Sequence, residues 1–375
     1  MKKPKIGILG GGQLGRMLLQ VCSNYNVETF VLDHDKDAPC KNICDHFSQG
    51  SLLDEATVIE FGKDLDVITI EIENVSTSAL FKLSEMGKRL IPHPEVLDVI
   101  QDKSKQNQFY SRFDIPTPLF KEINSRSELS TFTDKLPLVQ KLRRFGYDGK
   151  GVQVLENSND LGVAFDEPSI VEEKVDIEKE IGIIAIRSKS GKTVMYPPTE
   201  MVFDPNLNLV DYLITPAEIP LPILNQVESI AKKTVDAFQW PGIYAIEMFL
   251  SKSGAVYVNE TAPRTHNSGH STIEGSFTSQ FDQHARLLLG LEPGNTGTIK
   301  MSLMWNIVGP GEMEGEPIYE GLEAISTLDK VYVHLYGKKI TKPGRKLGHI
   351  TILGDSRNEL LEKLSIIRSI LTVKV

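Results

Sequence analysis

The chain has 375 residues, which is too long for one ordinary hydrophobic core, so two or three packed units are expected. Apolar residues make up 40% and charged residues 24%, which is typical of a soluble globular protein. The formal net charge of −9 argues against a nucleic-acid binder because the global field repels phosphate, although a local basic cluster could still bind a small anion.

The sequence indicates no targeting or membrane segment. A strand pattern begins by Lys5 without the features of a signal peptide, and no run approaches the roughly 18 apolar residues that span a bilayer. Cys22, Cys40 and Cys44 are an odd number in a long chain, which favours reduced thiols. We therefore expect a cytoplasmic protein.

The first hundred residues alternate between strand and helix patterns. KIGILG, VETFVLD and DVITIEIENV read as short strands, whereas GQLGRMLLQVCSNY and STSALFKLSEMG have apolar residues at helical spacing. This alternation predicts a parallel sheet with right-handed crossovers. A helix from about Pro94 to Asp114 is expected to close this α/β unit.

The stretch ILGGGQLGRM has the spacing of a dinucleotide-binding turn. Gly10, Gly12 and Gly15 match G-x-G-x-x-G, and Asp33 ends the next strand. An NAD-dependent oxidoreductase is therefore one hypothesis. The motif alone is weak, and the remainder of the chain has no convincing acid for hydride transfer.

Strands dominate after the turn IPTP. PLVQKL, GVQVLE, SIVEEKV, EIGIIAIRS and KTVMYPP read as strands, and LPILNQVESIAKKTVDAF as one long helix. From about Gly294 the chain becomes strand-rich again and closes with the amphipathic helix NELLEKLSIIRSIL. We predict an α/β N-terminal domain, a mixed α+β middle and a small C-terminal domain.

The segment IYAIEMFLSKSGAVYVNETAPR predicts a β-hairpin. A two-residue turn at Ser253-Gly254 would pair Lys252 with Ala255 and place Glu247 opposite Glu260. Opposed carboxylates repel each other, and a shared magnesium ion would explain the pair. A solvated sheet face with two unrelated acids explains the pattern about equally well.

Three further segments carry polar clusters. KLRRFGYDGKG places three glycines among four cations and could form an anion nest that closes as a lid, although a basic hairpin tip is the simpler interpretation. NETAPRTHNSGHST follows a strand, and its Arg264 and His266 favour anion or substrate contacts over a zinc site. YGKKITKPGRKLGH concentrates cations that suit a sugar phosphate, although such a run is usually a solvated turn.

The order of these segments resembles that of ATP-grasp enzymes, over essentially the whole chain. GQLGRML, RFGYDGKG, NETAPRTHNSGH and KPGRKLGH together resemble the N5-carboxyaminoimidazole ribonucleotide synthetase family. The resemblance implies an ATP-grasp fold with a Rossmann-like pre-ATP-grasp domain at 1–100, an ATP-grasp domain at 101–293 whose lid covers about 116–175, and a C-terminal domain at 294–375 that completes the substrate site.

The resemblance also implies a reaction. ATP and bicarbonate would give carboxyphosphate, and the amine of 5-aminoimidazole ribonucleotide would be carboxylated, with ADP and phosphate as the other products. The resemblance implies ATP and Mg²⁺ as cofactors, a homodimer, and transfer of the product to a mutase in purine biosynthesis.

Site residues follow from the resemblance, position by position. ATP contacts would come from Lys103, Lys141, Gly146, Tyr147, Asp148, Gly149, Lys150, Gly151, Val152, Glu172, Glu173, Lys174, Val175, Glu180, Asn259 and Glu260. Magnesium would be held by Glu247 and Glu260. The ribotide and bicarbonate would contact Tyr147, Asp148, Lys150, Arg264, His266, Asn267, Ser268, Lys338 and Arg345, with Arg264, His266 and Lys338 as catalytic residues. Some relatives carry arginine where Lys103 stands, which keeps the charge but changes the hydrogen-bonding geometry.

Two alternatives stay open beside the oxidoreductase. Another ATP-grasp ligase, such as a glycinamide ribonucleotide transformylase that uses formate, would share part of NETAPRTHNSGH. A catalytically inactive nucleotide-binding module would share the fold, although intact Lys141, Glu247 and Glu260 argue against it.

Overall fold

A computed structural model describes residues 3–144, 146, 151–204, 209–311 and 314–375. The N-terminal part is a five-stranded parallel sheet in the order β3-β2-β1-β4-β5, with helices in the crossovers. Its elements are β1 (Lys5–Leu9), α1 (Gln13–Cys22), β2 (Glu28–Asp33), β3 (His46–Gln49), α2 (Glu55–Gly62), β4 (Val67–Ile70), α3 (Thr77–Glu85) and β5 (Arg89–Ile91). The predicted parallel sheet is confirmed, although β4 ends at Ile70 and the acidic residues after it lie outside the strand.

The single helix expected over Pro94–Asp114 is two helices, α4 (Pro94–Ile100) and α5 (Lys103–Arg112). Asp102 separates them because its carboxylate accepts from the N–H groups of Ser104 and Lys105 and so caps α5. Arg143 donates to the same carboxylate, and the Lys103 N–H donates to the Arg143 carbonyl. The break therefore fixes the start of α5 against the strand that carries Lys141.

A four-stranded antiparallel sheet follows, in the order β6-β9-β7-β8. Its strands are β6 (Phe120–Ile123), β7 (Leu138–Leu142), β8 (Val152–Leu155) and β9 (Ser169–Glu173), with 3₁₀ turns at Arg126–Lys135 and Asp160–Gly162. A small apolar core that includes Ile123, Leu129 and Val171 packs on it.

The largest sheet runs in the order β15-β14-β10-β12-β13-β16-β19-β18, with β11 beside β10. It is built from β10 (Ile177–Arg187), β11 (Thr193–Met195), β12 (Thr199–Asp204), β13 (Leu209–Thr215), β14 (Gly242–Ser251), β15 (Val256–Ala262), β16 (Met301–Val308), β18 (Val331–Leu335) and β19 (Lys346–Gly354). The helices beside it are α6 (Leu221–Phe238), α7 (Thr272–Gly275), α8 (Gln280–Leu289), α9 (Leu322–Ser326) and α10 (Arg357–Ile370), and β17 (Ile318–Glu320) pairs with β20 (Thr372–Lys374).

Two apolar clusters hold these layers together. Helix α6 buries Val227, Ala231 and Val235 against β10 and β14, as its amphipathic pattern predicts. Helix α8 packs on α1, and the His284 Nε2 of α8 lies 2.9 Å from the Thr69 Oγ1 of β4, which ties the large sheet to the N-terminal part. Among the described residues, no helix is both long and apolar enough to cross a bilayer.

Candidate active site

The β14–β15 hairpin places two carboxylates opposite each other, as the sequence predicts, but by a different route. The predicted two-residue turn is wrong, because the Ser251 N–H donates to the Ala255 carbonyl and Leu250 pairs with Val256. The pairing then shifts by one residue within the hairpin: Met248 pairs with Val258, whereas Glu247 pairs with Glu260. Asn259 is therefore the extra residue of a β-bulge, and this bulge restores the pairing of the two glutamates.

Two lysines lie beside these acids. The Lys103 Nζ lies 2.5 Å from the Glu260 Oε2, and the Lys141 Nζ lies 2.8 Å from the Asn259 Oδ1. Lys141 also forms a buried ion pair with Glu172, whose Oε2 is 2.6 Å away. Because Asn259 is the bulge residue, the same irregularity that aligns the glutamates supplies an oxygen to Lys141.

The charges make the two glutamates unequal. The nearby Lys103 ammonium lowers the pKa of Glu260, whereas burial and the Glu260 charge raise the pKa of Glu247. Burial disfavours the charged form of Lys103, but the nearby carboxylates of Glu260, Glu172 and Glu247 together outweigh burial and raise the lysine pKa. A divalent cation would stabilise both carboxylates in their charged form, so this donor set fits a hard cation that prefers oxygen.

The same face of the sheet extends to β10. Glu180 lies two residues before Gly182, which pairs with Glu247, so the two acids are diagonal neighbours on one face of the sheet. Burial raises the pKa of Glu180 to about 7, with Lys141 acting in the opposite direction. Gly182 allows close approach, because a Cβ there would lie 2.9 Å from the Ser268 Cβ.

The segment from Glu172 to Val175, which is predicted to contact the adenine edge, contains both buried and exposed side chains. The Glu172 side chain is buried and accepts from Lys141 and from the Asn107 Nδ2. Glu173 is exposed at the end of β9, and the Lys174 Nζ pairs with Glu156. In this segment, which ends at Val175, the backbone groups rather than the Glu172 carboxylate are therefore available to an adenine base.

The predicted glycine loop is described only in part. Lys141, the last but one residue of β7, pairs with Val152 of β8, and Gly151 lies next to Gly146. Tyr147, Asp148, Gly149 and Lys150 lie outside the described residues.

His266 lies next to the glutamate pair, and Arg264 lies two residues before it in the chain. The Arg264 guanidinium contacts Glu73 through its Nε and Nη2 nitrogens, at 2.8 and 2.9 Å, which brings the end of the parallel sheet to the hairpin. The His266 Nε2 lies 3.4 Å from the Glu247 Oε1, and its Nδ1 lies 2.9 Å from the Ser268 Oγ. Since the Ser268 N–H also donates to Nδ1, the ring proton is assigned to Nε2, facing Glu247.

Asn267 is held by the C-terminal strands. Its amide exchanges hydrogen bonds with Asn306 of β16, at 2.9 and 3.1 Å. Asn306 also donates to the Val210 carbonyl. Asn267 therefore fixes the 3₁₀ turn Asn267–Gly269 to the large sheet, and only part of its hydrogen-bonding capacity is left for a substrate.

The basic C-terminal segment reaches the N-terminal domain. The Lys338 Nζ lies 2.6 Å from the Oε1 of Gln13, the first residue of α1, and 5.7 Å from the Tyr336 ring centroid. Lys339 pairs with Asp37, and Arg345 donates to the Ile340 carbonyl within its own turn. Lys338 therefore brings a positive charge to the first residue of α1.

The glycine-rich turn is already occupied by carboxylates of the chain. The Gly11 N–H donates to the Asp33 Oδ2 at 2.6 Å, and the Leu14 N–H donates to the Glu71 Oε1 at 3.2 Å. Asp33 and Glu71 therefore take amide groups of the turn, and their charges oppose a pyrophosphate. This arrangement argues against the dinucleotide hypothesis.

Four residues of the site region were missed by sequence reasoning: Gln13, Glu73, Gln280 and Asn306. Each contacts a partner that is not a neighbour in sequence. The separation ranges from 14 positions for Gln280 and His266 to 325 positions for Gln13 and Lys338. For Glu73, an acidic residue directly after a strand of the parallel sheet was a usable signal; the two buried amides carry no motif.

Three family models match the chain in succession. They are the ribonucleotide synthetase preATP-grasp domain at residues 1–101, the ATP-grasp domain at 108–281 and the phosphoribosylaminoimidazole carboxylase C-terminal domain at 302–363. They follow one another along the chain in the order preATP-grasp, ATP-grasp and C-terminal domain.

Curated relatives extend over nearly the whole chain. N5-carboxyaminoimidazole ribonucleotide synthase of Aquifex aeolicus is 33% identical over 366 residues, covering 96% of this chain and 94% of the relative. Phosphoribosylaminoimidazole carboxylase of Ogataea methanolica is also 33% identical, but this chain spans 69% of its length. In other relatives with that name the chain spans about two thirds of the length, for example 66% in Schizosaccharomyces pombe.

Solved structures are similar throughout. N5-carboxyaminoimidazole ribonucleotide synthetase from Thermotoga maritima superposes with a TM-score of 0.91 at 36% identity, covering 99% of both chains. The enzyme from Aspergillus clavatus, solved with ADP and 5-aminoimidazole ribonucleotide, gives 0.89 at 30% identity and 98% coverage of both chains. The chain belongs to the N5-carboxyaminoimidazole ribonucleotide synthase family of ATP-grasp ligases.

Proposed function

We propose that the protein carboxylates 5-aminoimidazole ribonucleotide to N5-carboxyaminoimidazole ribonucleotide, using ATP and bicarbonate and passing through carboxyphosphate. The observation that carries this proposal is the meeting of three groups at one place. Paired glutamates with Lys103 and Lys141 lie beside His266, and the nearby Arg264 is held by Glu73 of the N-terminal part. A candidate nucleotide site and a candidate acceptor site therefore lie side by side.

The nucleotide side would use Lys103, Lys141, Glu180 and Asn259. Bicarbonate and ATP are both anions, so cations must lower their mutual repulsion before they can react. Glu247 and Glu260 would hold Mg²⁺, which would neutralise charge on the phosphates when bound. The ion pair with Glu260 keeps Lys103 charged and oriented. When ATP binds, a phosphate oxygen would replace Glu260 as the partner of this lysine.

The acceptor side would use Arg264, His266 and Ser268, with Asn267 holding their turn. Arg264 presents a fixed cation to an anionic reactant, and Glu73 prevents it from rotating away. The His266 Nε2 proton lies on the side of the glutamate pair, where it can donate to a reacting oxygen. Lys338, with Arg345 in the same segment, would contact the phosphate of the ribotide.

Solvent exclusion would fall to the glycine loop at 146–152. Carboxyphosphate is labile in water, so closure of this loop over the phosphates would protect it. Cytoplasmic purine biosynthesis, a homodimer and a mutase that consumes the product complete the proposal.

The direct test is ADP release by the purified protein with ATP and magnesium. Strong stimulation by 5-aminoimidazole ribonucleotide, lost when bicarbonate is removed, is expected. Stimulation only by glycinamide ribonucleotide with formate would keep the fold and overturn the acceptor. If neither acceptor stimulates ADP release, a catalytically inactive nucleotide-binding module is favoured.

A further inference from the structure

Gln280 holds the backbone of His266 from both sides. Its Oε1 accepts from the His266 N–H at 2.9 Å, and its Nε2 donates to the His266 carbonyl at 2.7 Å. Gln280 is the first residue of α8 and is fully buried. A side-chain amide bonded to both polar groups of one residue determines where that residue lies and how its peptide planes are turned.

The surroundings leave Gln280 one arrangement. Its Nε2 also lies 3.1 Å from the His270 Nδ1, and its own N–H donates to the Thr272 Oγ1. A Cβ at Gly269 would lie 2.5 Å from the Gln280 Oε1, so the turn passes directly over the amide. Since the His266 N–H needs an acceptor and its carbonyl needs a donor, the orientation of the amide is fixed by its partners.

We propose that Gln280 is a positioning residue for the reaction, acting through His266. It keeps the imidazole between Ser268 and Glu247, so that Nε2 faces the glutamate pair. This inference rests on the proposed function, in which His266 contacts the reacting groups. Replacing the amide by an apolar group of similar shape removes both bonds and lets the turn shift by a fraction of an ångström, which is enough to slow a positioned reaction.

The chain contains a matched control in the same helix. Gln283 is also fully buried, and its amide accepts from the Gly294 N–H at 2.9 Å and donates to the Gly294 carbonyl at 3.0 Å. Gly294 begins the segment that leads to β16. Substitutions at Gln280 and Gln283 therefore each remove two bonds from a buried amide to the backbone of one residue, and only Gln280 holds His266. Each amide also has one further side-chain neighbour, His270 for Gln280 and Tyr196 for Gln283.

The experiment compares Gln280→Met with Gln283→Met in the full chain. Both variants should lose a similar amount of thermal stability and bind ADP normally. We expect kcat for ribotide-stimulated ADP release to fall by about 10- to 100-fold in Gln280→Met, with KM for ATP within about twofold, and kcat in Gln283→Met to stay within about twofold. Equal kcat values in the two variants would overturn the proposal.

A double-mutant cycle with His266→Ala separates this inference from the proposed function. Normal turnover in His266→Ala alone would show that the proposed role of His266 is wrong. If His266→Ala is slow, adding Gln280→Met should cause no further loss of kcat, because the residue it positions is gone. A further loss as large as in the wild-type background would show that Gln280 acts by another route.

Gln280→Glu tests the same point with a conservative change. A protonated carboxyl can accept from the His266 N–H and donate to its carbonyl, whereas a carboxylate can only accept. If burial keeps the new carboxyl protonated, we expect kcat of Gln280→Glu to be close to that of the wild type. If the carboxyl ionises within the assay range, the ratio of the variant kcat to the wild-type kcat should rise as the pH is lowered from about 8 to about 6. A low ratio at every pH would contradict the proposal, even if Gln280→Met does not fold.

Discussion

At the residue scale, Glu260 is the group on which the proposed nucleotide site most depends. It pairs with Lys103 and lies opposite Glu247, so it joins the cationic side of the site to its acidic side. Glu260→Ala should reduce ATP turnover by about 100-fold or more while the circular dichroism spectrum and the thermal transition persist. Near-normal turnover would rule out the magnesium assignment.

Lys338 allows a second test at this scale, because its neighbour is a control. Lys338 contacts Gln13 at the start of α1, whereas Lys339 pairs with Asp37 at the surface. Lys338→Ala should raise KM for the ribotide by about tenfold or more and leave KM for ATP within about twofold, since one charge-assisted contact is lost. Steady-state kinetics of Lys338→Ala and Lys339→Ala would check this, and equal effects on both substrates would contradict the assignment.

At the element scale, the start of α5 is held by a buried carboxylate. Asp102 caps the helix and accepts from Arg143, and it is only 2% exposed. Asp102→Ala should destabilise the protein by about 2–4 kcal/mol, because a cap and a buried ion pair are lost together. Thermal denaturation would measure this; Asp54→Ala, which removes the exposed cap of α2, should lower the Tm less.

The elements also show what local sequence can and cannot predict. Helix α6 and the opposed glutamates were predictable because helical periodicity and hairpin alternation are local signals. The predicted two-residue turn was wrong, yet the predicted pairing of Glu247 with Glu260 was correct. The observed loop is one residue longer than predicted, and the bulge at Asn259 compensates for the extra residue. The break at Asp102 was missed because periodicity continued across it, although the cap residue itself was visible in the sequence.

At the scale of the whole molecule, the contacts that assemble the site join residues far apart in sequence. Glu73 and Arg264 are 191 positions apart, and Gln13 and Lys338 are 325. No short motif encodes such a contact, because each residue type is common and its partner is fixed only by the packing of the sheets. The candidate site residues could be listed from the resemblance to a family, whereas the contacts of Gln280 and Asn306 could be identified only from the structure.

Acid should destabilise the whole fold through its buried histidines. Burial lowers the pKa of His284 from 6.5 to about 4, so below pH 6.5 the unfolded chain binds a proton that the folded chain excludes. This contribution is fully present above pH 6.5 and is lost as the pH falls toward 4, amounting to about 3 kcal/mol. Burial also lowers the pKa values of His270 and His349.

The measurement is Tm as a function of pH between 7.5 and 4.5, the range over which this group changes charge. His284→Gln should reduce the decline in Tm toward low pH, relative to wild type. His34→Gln is the control, because that side chain is 80% exposed. Parallel curves for wild type and His284→Gln would contradict the assignment.

The large sheet crosses from the hairpin of the glutamates to the C-terminal strands without interruption, through the β13–β16 pairing. Separating the chain before Met301 would uncover the hydrogen-bonding edge of β13, next to the buried residues Leu213 and Ile214. The last 75 residues are therefore not a detachable module but the continuation of a shared sheet. Chimaeras between members of this family should exchange β10 through β19 together, or leave that whole block with its original chain.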